Sequence, residues 1–161
     1  MRWLVAIALL LLSSCGGSER LSISEVEVLS VEGDEYPTSA VLRLDVKNSA
    51  GAFTLKQCRL RFGIEGRKQV VVTLTEKIKL RRGEQRVTLP IKISIVRNSL
   101  TMKLREALAQ HDASQIEVDG EWRIRKGLLS KRGVIDSTPI ERLLTDEELA
   151  RVWSVMNENK K

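Results

Sequence analysis

Two cysteines, one histidine and a patterned set of acids and bases are the groups in this chain that could do chemistry. A Ser-His-Asp relay or an imidazole-ligated metal would have to be built around His111. Asp112 adjoins it in sequence, but adjacency does not orient a ring, and no Gly-x-Ser-x-Gly motif surrounds any serine. His111 therefore reads as a surface residue at a helix end. Glu25 and Glu27 share the outward side of a strand, whereas a glycosidase-type pair needs two acids facing each other across a cleft. No glycine loop of the kind that cradles phosphate is present. The chain is expected to have no catalytic residue, no metal site and no cofactor.

The bases are more suggestive. Arg123, Arg125, Lys126, Lys131 and Arg132 cluster near one late segment, Lys77, Lys79 and Arg81 share a parity, and so do Arg59 and Arg61. Such a positive face can meet phosphorylated lipid or an acidic polymer, since each Lys or Arg near an anionic membrane adds about 1 kcal/mol. The same spacing also describes the solvated side of amphipathic strands, and edge lysines that block strand addition. The formal net charge of +6 fits either. Aromatic residues at 4% are sparse for stacking bases, so nucleic acid is not an expected partner.

Cys15 follows a short positive start at Arg2 and an uncharged apolar run over residues 3–12. That run is too short to cross a bilayer as a helix, which takes about 20 residues. A positive start, a short apolar run and small residues beyond it describe a signal peptide. Leu12-Ser13-Ser14-Cys15 resembles the lipobox of bacterial lipoproteins: an aliphatic residue, two small ones, then cysteine. The resemblance implies diacylglycerol on the Cys15 sulfur, cleavage before it, and acylation of the new amino terminus. Gly16 in place of Asp implies the outer membrane, by the enteric sorting pattern. Two or more acyl chains anchor a protein stably where one does so only marginally.

The expected organisation is a signal peptide over 1–14, an anchor and tether over 15–20, a β domain over 21–140, and a C-terminal helix and tail over 141–161. The membrane, reached through lipid on Cys15, is the expected partner, with another envelope protein as a second. Once Cys15 carries lipid, the folded body keeps Cys58 alone and has no intrachain disulfide. Cys58 shares a strand face with Leu60 and Phe62, as a buried inert thiol would.

The elements that must position these groups follow from hydrophobic period. Alternation predicts strands over 21–31 and 41–46, with Leu42, Leu44 and Val46 on one side and Arg43, Asp45 and Lys47 on the other. Phe53 and Leu55 have one parity, while Cys58, Leu60, Phe62 and Ile64 have the opposite one. That slip near Lys56-Gln57 predicts a bulge or a bend. Glu65-Gly66-Arg67-Lys68 reads as a hairpin connection into Val70, Val72 and Leu74. Ile78 and Leu80 follow, then the long run Val87, Leu89, Ile91, Ile93, Ile95. Pro90 lies on the outward parity of that run, which predicts a sheet edge or a bulge. After Asn98 the period becomes four, through Leu100, Leu104 and Leu108, so a helix capped by Asn98 or Ser99 is expected. Ile116, Val118, Trp122 and Ile124 make another strand, with Gly120 a bulge or a close approach. Residues 128–140 are irregular or a last strand. Thr145-Asp146-Glu147-Glu148 opens a terminal amphipathic helix. Its apolar side carries Val152, Trp153 and Met156, a cap for the body or a docking face for a partner.

The order of features over 23–124 resembles the late-embryogenesis-abundant type 2 domain, also called the water-stress and hypersensitive-response domain. The likeness is carried by Val46-Lys47-Asn48 leading into Phe53-Thr54-Leu55, the Leu/Phe-rich strand 60–64, the glycine turn after Leu80, Leu89-Pro90-Ile91, and a glycine-bearing strand after the helix. Ser49 stands where that family has proline after the asparagine. The resemblance implies an immunoglobulin-like β-sandwich of about seven strands with one inserted helix, and no enzymatic activity. The functional expectation is a membrane-anchored envelope module that binds or supports. The alternatives are a small hydrolase of an envelope polymer, or a carrier of an apolar ligand within the sandwich.

Overall fold

The computed structural model describes residues 21–143 other than 35, 50 and 113, together with residues 146 and 150. The described body is mostly β. Its elements run β1 (Leu21–Glu32), β2 (Ser39–Asn48), β3 (Phe53–Ile64), β4 (Arg67–Leu74), β5 (Ile78–Leu80), β6 (Gly83–Ile95), α1 (Ser99–Ala109), β7 (Glu117–Lys126), β8 (Leu129–Pro139) and a one-turn α2 (Ile140–Leu143).

All eight strands join one antiparallel sheet, in the order β1-β2-β6-β4-β3-β7-β8, with β5 beside the first residues of β3. Period-2 alternation decides which side of each strand is buried. Register then aligns those sides: Val28 faces Leu42, Leu42 faces Leu89, Val72 faces Ile93, Leu60 faces Val72, and Phe62 faces Val118. Leu42, Leu44, Leu60, Val72, Leu89 and Val118 are wholly inaccessible. One apolar sheet face thus supplies almost the whole core, with Leu104 and Ala107 of α1 added to it.

Several expected features are present. The slip near Lys56 is a bulge within one continuous strand, as the pairing of β3 with β7 shifts between Leu55 and Gln57. Inserting one residue keeps both Leu55 and Cys58 pointing inward. Glu65 and Gly66 both take positive φ, as a two-residue type I′ hairpin loop requires. Asn98 is the cap of α1, its Oδ1 accepting from the backbone N–H groups of Leu100 (3.0 Å) and Thr101 (3.2 Å). Residues 129–139 form a strand rather than irregular chain.

Pro90 is a correction. It lies neither at an edge nor at a bulge, for β6 is interior between β2 and β4, and Pro90 stays in register opposite Val41. The pairing of β4 with β6 stops at Leu74–Ile91, so Pro90 faces the break between β4 and β5. Its carbonyl accepts from Thr75 N (3.1 Å) on that side. The missing N–H falls where the neighbouring strand is interrupted and no ladder bond is lost.

Two buried polar contacts escaped the pattern reading. The Thr101 hydroxyl on α1 donates its proton to the Val96 carbonyl and lies 3.0 Å from the Gln69 side-chain amide, pinning the helix to β4. Asn48, 1% exposed, donates through Nδ2 to the carbonyls of Gly51 (2.8 Å) and Arg81 (3.1 Å). Asn48 thereby ties together the loop entering β3 and the turn between β5 and β6. No helix among the described residues is long and apolar enough to cross a membrane.

Candidate functional site: the β7–β8 hairpin and its end of the sheet

The five clustered bases all lie on one hairpin. β7 and β8 pair from Glu117–Pro139 out to Lys126–Leu129, and Gly127-Leu128 closes the loop. Gly127 has φ +63, whereas Leu128 is not among the positive-φ residues. That is the pattern of a type II′ turn, whose first central position belongs to glycine. Leu128 is 95% exposed and Leu129 79%, the two most exposed large apolar side chains among the described residues.

Register divides the bases between the hairpin's two sides. Arg123 stands opposite Arg132 and Arg125 opposite Ser130 on one side. Lys131 stands opposite Ile124 and Lys126 opposite Leu129 on the other. The cluster is therefore a collar around the apolar tip rather than a flat patch. Like charges directly opposite one another weaken a sheet. Arg123 and Arg132 are such a pair, moderated by the contact of Arg132 with Glu121 (2.6 Å). Arg125 donates from Nε to the Gly127 carbonyl (3.0 Å), which braces the turn. Below the tip, Gly133 makes room for the Trp122 ring: a Cβ there would sit 2.1 Å from two ring carbons.

The end of the sheet that bears this tip can be traced strand by strand. Leu21, the first residue of β1, pairs with Asn48, and Asn48 pairs with Gly83. Phe53 pairs with Leu80, and Thr54 with Arg125. A Cβ on Gly51 would lie 3.6 Å from Lys126 Nζ. The start of β1, the β5–β6 turn and the hairpin tip therefore share one end. Lys47, Arg81, Arg82, Arg125 and Lys126 are exposed there, with Glu84 as the acid opposite Lys47. At the other end the acids Glu32, Asp34, Glu65, Glu117 and Glu141 stand among the bases Arg67, Lys68, Arg97, Lys103 and Arg142, so charge there is roughly balanced. The positive charge is concentrated at the first end.

The remaining candidate groups are structural in their surroundings. His111 takes φ +58 just after the last residues of α1. Its N–H donates to the Leu108 carbonyl (3.2 Å), and the Asp112 N–H to the Ala107 carbonyl (2.9 Å). Those two bonds are a Schellman ending, with histidine in the place that usually holds glycine. Cys58 is 2% exposed and opposes Trp122 across β3–β7.

Glu27 pairs with Arg43 on the outer face of β1–β2, and Glu25 lies opposite Asp45. Asp45 accepts from Arg86 Nε at 2.8 Å. That bond and the nearby guanidinium hold the Asp45 carboxyl below its ordinary 3.8, the reverse of what a general acid needs. An open cleft of about 450 Å³ lies beside the hairpin, lined by Arg59, Arg123, Arg132, Glu121, Cys58 and Trp122 among others. Its acid Glu121 is engaged by Arg132. Among the described residues no cluster of three His, Cys, Asp or Glu side chains could hold a metal ion. Cys15, and Val152, Trp153 and Met156 of the expected terminal helix, lie outside the described residues.

No protein-family model and no curated protein matches the chain. Among solved structures it is similar to a protein from Archaeoglobus fulgidus, at 12% identity and a TM-score of 0.37, over 73% of this chain and 98% of that one.

Hydrophobic period alone does not resolve the hairpin turn after Lys126. The signal was present as Gly127 between two basic, alternating segments. Leu128 and Leu129 interrupted the polar composition expected of a loop and obscured it.

Proposed function

We propose that this chain is a non-enzymatic, lipid-anchored module of the bacterial envelope. In this reading residues 1–14 are a signal peptide, Cys15 carries the lipid, and 15–20 is the tether. The β domain of 21–140 and the segment 141–161 then lie outside the cytoplasm, on the outer membrane. The observation that carries the proposal is the location of Leu21. The tether would enter the body at the end of the sheet where exposed bases outnumber acids, beside the turn of β5–β6 and the β7–β8 tip. Anionic headgroups attract Lys and Arg held close to a membrane surface. Six positions separate Cys15 from Leu21. Fully extended they reach about 20 Å, which keeps that end near the bilayer.

The finer architecture belongs to the same proposal. The buried faces of β1, β2 and β6 and those of β3, β4 and β7 contribute to a single core. A sheet with one apolar face can bury it by bending until its halves oppose each other, as in an immunoglobulin-like or late-embryogenesis-abundant type 2 sandwich. The module then offers loops, edges or its C-terminal segment to another envelope protein.

The test is Cys15→Ala. The variant is expected to lose fatty-acid labelling in growing cells and to leave the membrane fraction. Retention in membranes at the parental level would refute the anchor.

A further inference from the structure

The β7–β8 tip has a composition that folding does not explain. Gly127 meets the conformational demand of the turn by its positive φ. The position after it is commonly filled by a polar residue such as Asn, Asp or Ser. Here it is Leu128, followed by Leu129, and neither is covered. Nor does folding call for all five bases: Arg125 braces the turn and Arg132 meets Glu121, but Arg123 directly faces Arg132, an arrangement that weakens a ribbon.

We infer that this tip is a membrane-contact element. Leu128 and Leu129 enter the headgroup region of an anionic phospholipid surface, and Arg123, Arg125, Lys126, Lys131 and Arg132 engage the phosphates around them. The inference rests on the anchor reading above, which sets the same end of the sheet against the bilayer.

Three observations converge on that occupant. The first is the pairing of the most exposed apolar side chains with a ring of cations. Burial of apolar groups in the interface combined with attraction to anionic headgroups is how peripheral elements hold to lipid. The second is the charge distribution of the described body: Lys47, Arg81 and Arg82 stand at the tip's end with Glu84 as their nearby acid, whereas at the far end Glu32, Asp34 and Glu65 offset Arg67, Arg97 and Lys103. A body so polarised is turned by a negative surface into one orientation. The third is rigidity. Trp122 packed over Gly133, and Arg125 bonded to the Gly127 carbonyl, present the leucines from a braced ribbon. A braced tip loses little conformational freedom on insertion, which favours binding. With two contacts to the membrane, at Cys15 and at the tip, the body is oriented rather than left to swing on its tether.

The experiment uses the lipidated full chain with Leu128→Cys carrying an environment-sensitive dye, reconstituted on vesicles. Cys58, buried but lining the cleft beside the hairpin, is replaced by alanine in every variant so that it can take no dye. A lipidated Cys15 has no thiol to react, so one dye per chain is itself a check of the anchor. Vesicles of phosphatidylcholine alone and of phosphatidylcholine with phosphatidylglycerol are compared, and Asp34→Cys serves as the far-end control.

The expected result is a blue shift at position 128, with quenching by spin-labelled lipid, on the anionic vesicles and not on the neutral ones. The dye at position 34 stays water-like on both. Removing two charges with Lys126→Gln and Lys131→Gln moves the docked-to-free ratio about thirtyfold toward free. A chain that floats with the vesicles while the dye at 128 stays water-like overturns the membrane-contact inference and leaves the anchor standing. An equal shift on neutral vesicles overturns the role given to the bases. A chain that takes two dyes or fails to float overturns the anchor, and with it this inference.

Discussion

Gly120 is expected to tolerate no side chain. It lies in β7 opposite Leu60 of β3, and a Cβ there would sit 2.5 Å from the Arg59 carbonyl oxygen, 2.6 Å from Leu60 Cδ2 and 3.3 Å from Leu60 Cα. Leu60 is fully buried and cannot swing away, and the Arg59 oxygen belongs to the backbone. To restore ordinary contact, β3 and β7 would have to separate by about 1 Å at a normal spacing of about 4.8 Å, stretching the flanking ladder bonds.

Forced overpacking of this kind costs about 1–3 kcal/mol. Gly120 is not among the positive-φ glycines, so alanine meets no backbone strain there. Alanine's smaller unfolded-state entropy then returns about 0.4–1 kcal/mol. The net expectation for Gly120→Ala is a loss of about 1–2 kcal/mol, or a fall in Tm of about 4–8 °C for a domain of this size. Urea titration followed by circular dichroism measures it, with a thermal scan as the second probe. Adding Leu60→Ala removes the Cδ2 contact but not the one with the Arg59 oxygen, so the double variant should not regain parental packing. A Gly120→Ala protein as stable as the parent, or more so, would refute the tight approach of β3 and β7.

Two further outcomes follow from the same geometry. His111→Gly should raise stability by about 1 kcal/mol, because the left-handed φ that histidine now occupies carries no penalty for glycine; an unchanged urea midpoint would count against the Schellman ending. The Asp45–Arg86 contact should show itself in acid. With the folded carboxyl held below its ordinary value, the unfolded chain binds more protons, so this contribution is present above about pH 4 and fades as pH falls through the folded value. The difference in urea midpoint between the parent and Asp45→Asn should narrow as pH falls below about 4, and a difference that stays constant down to acid unfolding would refute the assignment.

Much of the fold was legible because alternation is a local property. Leu42, Leu44 and Val46, and the run Val87 to Ile95, point to one side whatever strand lies beside them. The slip at Lys56, the turn at Glu65-Gly66 and the cap at Asn98 were legible for the same reason, each being settled by a few neighbouring residues. The setting of Pro90 is not local, because it depends on a break in another strand, between Leu74 and Ile78. The buried contacts of Asn48 and Thr101 reach across 33 and 32 residues, and no local pattern announces them.

The candidate site divides in the same way. The resemblance of Leu12-Ser13-Ser14-Cys15 to a lipobox, the alternating apolar faces and the concentration of bases between 123 and 132 can be read from the chain without its fold. The tertiary structure alone decided that these bases ring an uncovered Leu128-Leu129 tip, and that Leu21, Asn48, Gly83 and Lys126 gather at one end of the sheet. The physical reason is that period fixes which face a residue takes, whereas the choice of neighbouring strand is made by long-range pairing. Loop-closure entropy changes only slowly with the length of the intervening chain. Many strand orders are therefore open to one alternating pattern, and burial of the whole apolar face at once selects among them.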